Sequence, residues 1–352
     1  MEVIDPTSQA IVIDYKSHAS LKTVPQPEVR FNDLLVRIEA CGVCKTDISL
    51  IDREFSDAET KIPGHEGVGL VVQVGKGTTG FNVGDRVGIP WLAKTCGSCE
   101  LCLKGQENLC ETQLNSGLNS DGCFASHVRI DFRFAVKIPD SLTAIQAAPI
   151  LCAGVTAYTA IKKSGARAGD YICILGAAGG IGHLAVQYAK CMGLSVIAIE
   201  NNSNKIEFMR DLGADIAVDA SKFTEEQFVA ELLARTNGAG CAASINAAPS
   251  AAAMSLSLRV LKNGGTAVLI ALNPQEIVLP LRDIIFRGLK IVGSIVGSRL
   301  DMMEAMNLAS RGCVLARSHV CGMESYENVL SDFRKNSYEG RVVFACPPFS
   351  IN

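Results

Sequence analysis

Two groups of cysteine and histidine stand out for the chemistry they can do. The tighter is Cys96-Gly-Ser-Cys99-Glu-Leu-Cys102 with Cys110, a C-x2-C-x2-C-x7-C run. Four thiolates fill every position around a tetrahedral ion, so such a site is closed and structural, and zinc is the expected metal. An iron–sulfur cluster is the rival, but ferredoxin-type runs end in x3-C-P. Free buried cysteines are the bland alternative, disfavoured by the spacing. The looser group is Cys44 in CGVCKTD, His65 in Gly64-His65-Glu66-Gly67, and Cys152 in Leu151-Cys152-Ala153-Gly154. Two thiols and an imidazole are the Cys2His set of a catalytic zinc, which leaves a fourth position for water or substrate. Zinc held this way is a Lewis acid toward an alcohol or carbonyl oxygen. On spacing alone the three are weak, and Cys152 by itself reads as a small buried hydrophobe.

A third feature belongs to a dinucleotide. Asp170-Tyr-Ile-Cys-Ile-Leu175 is an apolar run of the kind that forms a buried parallel strand. Gly176-Ala-Ala-Gly179-Gly180-Ile181-Gly182 follows at once. A helical stretch, Leu184 to Met192, and a second strand, Leu194 to Ile199, lead to Glu200. Strand, glycine turn, helix, strand and terminal acid in series are far more specific than a glycine run alone. The turn lets the backbone approach a pyrophosphate, which the helix N-terminus then meets with free N–H groups. Glu200 stands 18 residues after Gly182. An acid there bonds the adenosine ribose and repels a 2′-phosphate. Asn201-Asn-Ser-Asn-Lys205 follows without an arginine, so NAD is expected over NADP.

The elements that must position these groups divide the chain. Ala10–Ile13, the alternating Asp33–Ala40, Gly69–Val74 and Gly84–Val87 read as strands, with Pro25 and Pro27 marking a loop. Asp121 to Pro139 returns to β structure. The βα pattern begins near Cys152 and runs through 243–246, 266–270 and 291–294. The expected domains are therefore 1–151, 152–296 and a return to the first over 297–352. In that tail Met302, Met303 and Met306 read as a packed helix face. Composition agrees with two large cores: 352 residues, 48% hydrophobic, mean hydropathy +0.23. A net charge of −3 gives no basic footprint for nucleic acid. No apolar run approaches the ~18 residues of a membrane span. The first ten residues carry Glu2 and Asp5 and no basic stretch, so no secretory leader and a cytoplasmic location are expected. Fourteen cysteines in such a chain point to metal rather than disulfides.

In order and spacing, CGVCKTD, IPGHEGVG, the four-cysteine lobe, PILCAGVTAY and GAAGGIG resemble the zinc-dependent medium-chain alcohol dehydrogenases, most closely the tetrameric microbial type. The resemblance covers nearly the whole chain. It implies an α/β protein: a GroES-like β-rich catalytic domain and a doubly wound, parallel-sheet Rossmann domain. It also implies two zincs per chain, NAD, a small alcohol or aldehyde as substrate, and a homotetramer. By the same resemblance Thr46 bonds the substrate oxygen and passes its proton on. Asp47 orients the ligand histidine, and Glu66 is a weaker supporting acid. Lys45 and Arg341 meet the pyrophosphate, Lys205 the adenosine ribose, and Thr156 and Ile181 the nicotinamide. Trp91, Phe55, Leu272 and Ile295 line the substrate pocket, with core as the alternative for Trp91, Leu272 and Ile295. One position departs from the family. Ser49 stands where the microbial relay has a histidine, and serine does not hold a proton near neutral pH as histidine can. The expected function is reversible hydride transfer between an alcohol, primary by preference, and NAD. The alternatives are a pathway-specific reductase of a bulky aldehyde and a catalytically silent dinucleotide-binding relative.

Overall fold

A computed structural model describes residues 7–14, 18–54, 60–272, 278–335 and 338–346. These fall into two compact units. The first comprises residues up to Cys152 with 298–310 and those from Ser318 on; the second comprises Ala153–Gly297 with Arg311–Arg317.

The first unit is built on Asp33–Val43, an eleven-residue strand with eight buried apolar or small positions. On one edge it pairs antiparallel with Gly67–Val74, then Arg86–Ile89, then Val136–Lys137. On the other it pairs with His127–Asp131 and Arg341–Ala345, the latter lying parallel to Ser318–Gly322. A hairpin of Thr7–Ile13 and Ala19–Pro25 closes over this sheet through Ile11 N–H to Phe124 O at 2.8 Å. Ile11, Leu34, Ile38, Ile89, Phe124 and Phe344 form its centre. The register between the long strand and Gly67–Val74 shifts twice, at Leu35/Val36 and Ile38/Ala40. Such bulges bend a strand and re-aim its side chains, here within the strand that leads to Cys44.

The second unit is one six-stranded parallel sheet in the order 216–219, 195–200, 171–175, 241–246, 261–269, 290–293. Numbered along the unit that order is 3-2-1-4-5-6, the doubly wound arrangement of dinucleotide-binding folds. Ile172–Leu175 and Val196–Glu200 are fully buried, as strands covered on both faces must be. The helix Gly182–Cys191 packs at once behind the first strand. Gly182 permits it: a Cβ there would lie 2.0 Å from the carbonyl oxygen of Gly176.

Two expectations for the tail change. Residues 311–317 pack with the second unit, because the Gln187 amide bonds both backbone groups of Leu315, at 2.8 and 3.0 Å. On the helix Arg299–Ser310, Met302 and Met306 are buried but Met303 is 66% exposed. Positions four apart share a helix face and adjacent ones do not.

Candidate active site

Cys44 is the N-cap of the helix Lys45–Ile51. Asp47, in the first turn of that helix and fully buried, accepts three hydrogen bonds: Cys44 N–H at 2.8 Å, Gly64 N–H at 3.0 Å and His65 Nδ1 at 2.9 Å. One carboxylate thus caps the helix, fixes the 64–65 turn and sets the imidazole. Gly64 turns at φ +101°, where a Cβ would strike Phe124 N at 2.6 Å, so only glycine presents His65 this way. With Nδ1 taken by Asp47, Nε2 points inward, buried and without a partner.

That orphaned nitrogen is what a metal would satisfy. Cys44, His65, Glu66 and Cys152 each bring one ligand atom into a group within 4.8 Å of one another, all four residues buried. Two thiols and an imidazole gathered on this scale are the donor set of a single zinc ion. The thiols are already poised. A hydrogen bond from Cys152, and then His65, hold Cys44 well below the usual thiol range against burial, and Cys152 rises in exchange. Burial opposes charge on His65, but Asp47 outweighs it and pushes the imidazole upward. The Asp47 contact is the oriented histidine that metal sites use. We expect Asp47→Asn, which removes an acceptor but keeps the shape, to cost ~10–100-fold in zinc affinity. Competition with a chromogenic chelator measures this, and unaltered affinity would refute the role.

Glu66 sits closer to the centre than its sequence position suggested. Arg341, 4% exposed, bonds Glu66 Oε1 through Nη2, while Glu66 Oε2 has no partner. Burial lifts the Glu66 carboxyl to about 7, against the pull of Arg341. Arg341 was expected to face a pyrophosphate; its Nη2 meets this buried carboxylate, while its Nε has no partner among the described residues. Nothing in the sequence links two residues so far apart. Trp91 is half-buried, its ring edge-on to His65 at 5.0 Å between centroids. It therefore walls the metal set rather than filling the core. Thr46 Oγ1 lies 3.6 Å from Cys44 Sγ. Ser49, one helical turn on from Thr46, is 7% exposed, and Lys45 is exposed at the helix start. Phe55 lies outside the described residues.

The four-cysteine lobe gathers as its spacing implied: Cys96, Cys99, Cys102 and Cys110 form the second such group. Cys99 N–H and Cys102 N–H donate to the sulfurs of Cys96 and Cys99 at 3.3 and 3.5 Å. Amide hydrogen bonds from Ser98 and Cys99 bring Cys96 down to about 6. A tetrathiolate cage with N–H groups on its sulfurs suits a structural zinc.

In the second unit Gly176 turns at φ +75°, and the chain enters the helix at Gly182 with Ile181 as its cap. Gly179 and Gly180 lie half-exposed on the turn. Glu200, at the end of its strand, reaches back: Oε1 accepts from Ala178 N–H at 2.9 Å, and Oε2 lies 4.0 Å from Lys205 Nζ. The acid, the lysine and the glycine turn thus stand together. Thr156 is buried on the helix Ala153–Ser164. Leu272 and Ile295 are 73% and 48% exposed, which removes their core alternative. Next to Ile295, Val296 adopts φ +37°. A β-branched residue there is strained, and such strain collects at functional positions; no sequence signal announces it.

The site can now be set beside known proteins. Residues 30–140 match the family model described as alcohol dehydrogenase GroES-like domain, and residues 180–311 that described as zinc-binding dehydrogenase. These define the class: a zinc-binding dehydrogenase with a GroES-like and a Rossmann part. An alcohol dehydrogenase of Geobacillus stearothermophilus is 43% identical over 336 residues, 95% of this chain and 98% of its own. The structure of an acetophenone reductase from Geotrichum candidum in complex with NAD is 26% identical, covering 97% and 98%, TM-score 0.86. A zinc-binding dehydrogenase of Sinorhizobium meliloti bound to NADP is 28% identical, covering 97% and 100%, TM-score 0.86. The chain belongs to the zinc-dependent alcohol dehydrogenase family.

Proposed function

We propose that this alcohol dehydrogenase interconverts a small primary alcohol and its aldehyde with NAD. The observation that carries the reading is the buried Cys44–His65–Cys152 set, with Asp47 fixing the histidine and the Thr46 hydroxyl 3.6 Å from Cys44 Sγ. When bound, zinc supplies Lewis acidity toward the substrate oxygen and the nicotinamide takes up or gives the hydride. The chain does the rest. Thr46 accepts the proton of the substrate hydroxyl and donates its own onward. Trp91 bounds the substrate beside His65. Asp47 keeps the His65 lone pair aimed inward. The test is NADH consumption by zinc-loaded protein over aldehydes from acetaldehyde to bulky ring-bearing ones. Turnover with acetaldehyde supports the reading. Turnover with bulky aldehydes alone replaces it with a dedicated pathway reductase, and no turnover at all with a dinucleotide-binding protein.

The solved relatives hold NAD in one case and NADP in another, so the choice rests on Glu200. Its carboxylate beside the glycine turn would face a 2′-phosphate as a like charge. At ~4 Å such repulsion is worth about 1–4 kcal/mol. Glu200→Ala is expected to raise the NADP-to-NAD ratio of kcat/KM about fivefold or more. An unchanged ratio would remove Glu200 as the selector.

Ser49 gives a second expectation. Thr46 and Ser49 are three apart on one helix and therefore neighbours on its surface. A hydroxyl passes a proton without storing it, so water must complete the path. Ser49→His adds a group that titrates at about 6.5. Alcohol oxidation should then gain an inflection near that pH, rising as the histidine loses its proton. A pH profile identical to that of the parent enzyme would sink the idea.

Assembly as a cytoplasmic homotetramer completes the proposal. In support, Leu281, Ile285 and Phe286 are 65–81% exposed beside Lys290–Gly293, the last strand of its sheet. Among the described residues no single helix is long and apolar enough to cross a membrane. Light scattering of the purified protein tests the four-chain mass.

A further inference from the structure

The segment 311–317 lies along the helix Gly182–Cys191 in a regular register. Arg317 N–H donates to His183 Nε2 at 3.3 Å, and Leu315 exchanges two hydrogen bonds with the Gln187 side chain. Four residues of helix advance about 6 Å, and two residues of extended chain about 6.6 Å. Continued by the same spacing, the pairs 183/317 and 187/315 would bring residue 313 beside 191, and both of those residues are cysteines. Beside burial, the neighbouring Cys313 thiol pushes the Cys191 thiol up. Cys191 is exposed and Cys313 half-exposed, and neither belongs to either metal group.

We propose that Cys191 and Cys313 are a reversible thiol–disulfide site, oxidised by a low-molecular-weight disulfide, that staples residues 311–317 to the helix behind the glycine turn. The exchange balances without any metal. The more exposed Cys191 thiolate attacks one sulfur of the small disulfide, forming a mixed disulfide and releasing one thiol. The Cys313 thiolate then displaces the second thiol and closes the protein disulfide. Two protein thiols are oxidised and one small disulfide is reduced to two thiols. Reduction runs the same steps backward, as suits a chain in a reducing compartment, where disulfides are transient. Burial and the neighbouring Cys313 raise the Cys191 thiol, so closure should run faster at pH 8.5 than at pH 7. The closed loop spans Cys191 to Cys313, long enough that cross-linking removes much freedom from the unfolded chain.

The experiment treats zinc-loaded protein with oxidised glutathione, then digests it with trypsin without reduction for mass spectrometry. The expected product joins peptide 191–205 to peptide 312–317 and disappears with dithiothreitol. The oxidised enzyme should melt roughly 5 °C or more above the reduced enzyme. In Cys313→Ser, glutathione should remain on Cys191 and the rise in Tm should be lost. Glutathione on either cysteine of the unaltered chain without the linked pair, or no modification at all, overturns the proposal. A linked pair with unchanged Tm overturns the staple.

Discussion

Replacing Cys44 with serine is expected to take the zinc content from two ions per chain to one and to lower kcat by a factor of about 1,000 or more, while the protein stays folded. The three parts of this expectation have separate causes. The fold should survive because Cys44 caps its helix through its backbone N–H on Asp47, which the substitution keeps, and serine is itself a favoured N-cap. The metal should leave because a neutral hydroxyl replaces the thiolate, which the hydrogen bond from Cys152 and the charge on His65 already favour. The remaining donors, His65 and Cys152, would then hold a dication in a buried setting with too little negative charge. Activity should fall because several kcal/mol of stabilisation at the substrate oxygen goes with the ion, and each 1.36 kcal/mol is tenfold in rate. Metal analysis, circular dichroism and steady-state kinetics on one preparation decide it. A variant that keeps two zincs, or turns over within tenfold of the parent enzyme, would show that Cys44 is not a ligand.

What the sequence disclosed and what it hid follow from the range of the interactions. The glycine turn was readable because strand, turn, helix and acid lie in one short stretch, and its geometry is fixed locally. The four cysteines were readable for the same reason. Cys41 is a smaller case: on the strand Asp33–Val43 it is 1% exposed and packs in the core, three residues before Cys44. Long-range pairs were hidden. Glu66 meets Arg341, and Glu107 takes both the backbone N–H and the Nε of Arg299, at 3.0 and 2.7 Å. Neither pair leaves a trace in spacing, because each is made only when distant strands or helices come together. Arg341 shows the consequence. Its residue type suited a phosphate, and no spacing announced the buried carboxylate that its Nη2 meets. Removing one partner from such a buried pair is costlier than removing both, so its place is set by Glu66 as much as by any ligand.

Asp47 shows a further limit. Its expected role was to orient His65, and it does. Its two other hydrogen bonds, to Cys44 N–H and Gly64 N–H, were not foreseen, because they depend on the loop before His65 returning to the start of the helix. The same carboxylate therefore sets the positions of two ligands. Ligand placement and histidine orientation cannot be varied independently here, and substitution at Asp47 should disturb both the affinity for zinc and the rate.

Replacing Cys102 with serine in the other cluster is expected to destabilise the protein rather than merely the site. The lobe has almost no hydrophobic core of its own. Its helices, Glu100–Leu103 and Glu107–Leu109, are four and three residues long, and two of its leucines face solvent, Leu103 76% and Leu109 41% exposed. Short helices are marginal without packing, so the metal must supply the folding energy, on the order of 10 kcal/mol for a structural zinc. Without the ion, the thiols that now crowd together lose their reason to do so. Cys96 lies 3.9 Å from Cys102 and 3.6 Å from Cys110. The damage should spread. Glu107 is 6% exposed and anchors the first residue of the helix Arg299–Ser310, whose Met302 and Met306 are buried. A melted lobe frees that helix end. The expected result is one zinc per chain, a fall in Tm of roughly 10 °C or more, and new proteolytic cleavage at Lys104, which the folded lobe holds in an ion pair with Glu100. Cys102→Ser that loses its zinc yet melts and resists protease like the parent chain would mean that the lobe folds by itself, and that the four cysteines serve a purpose other than holding it together.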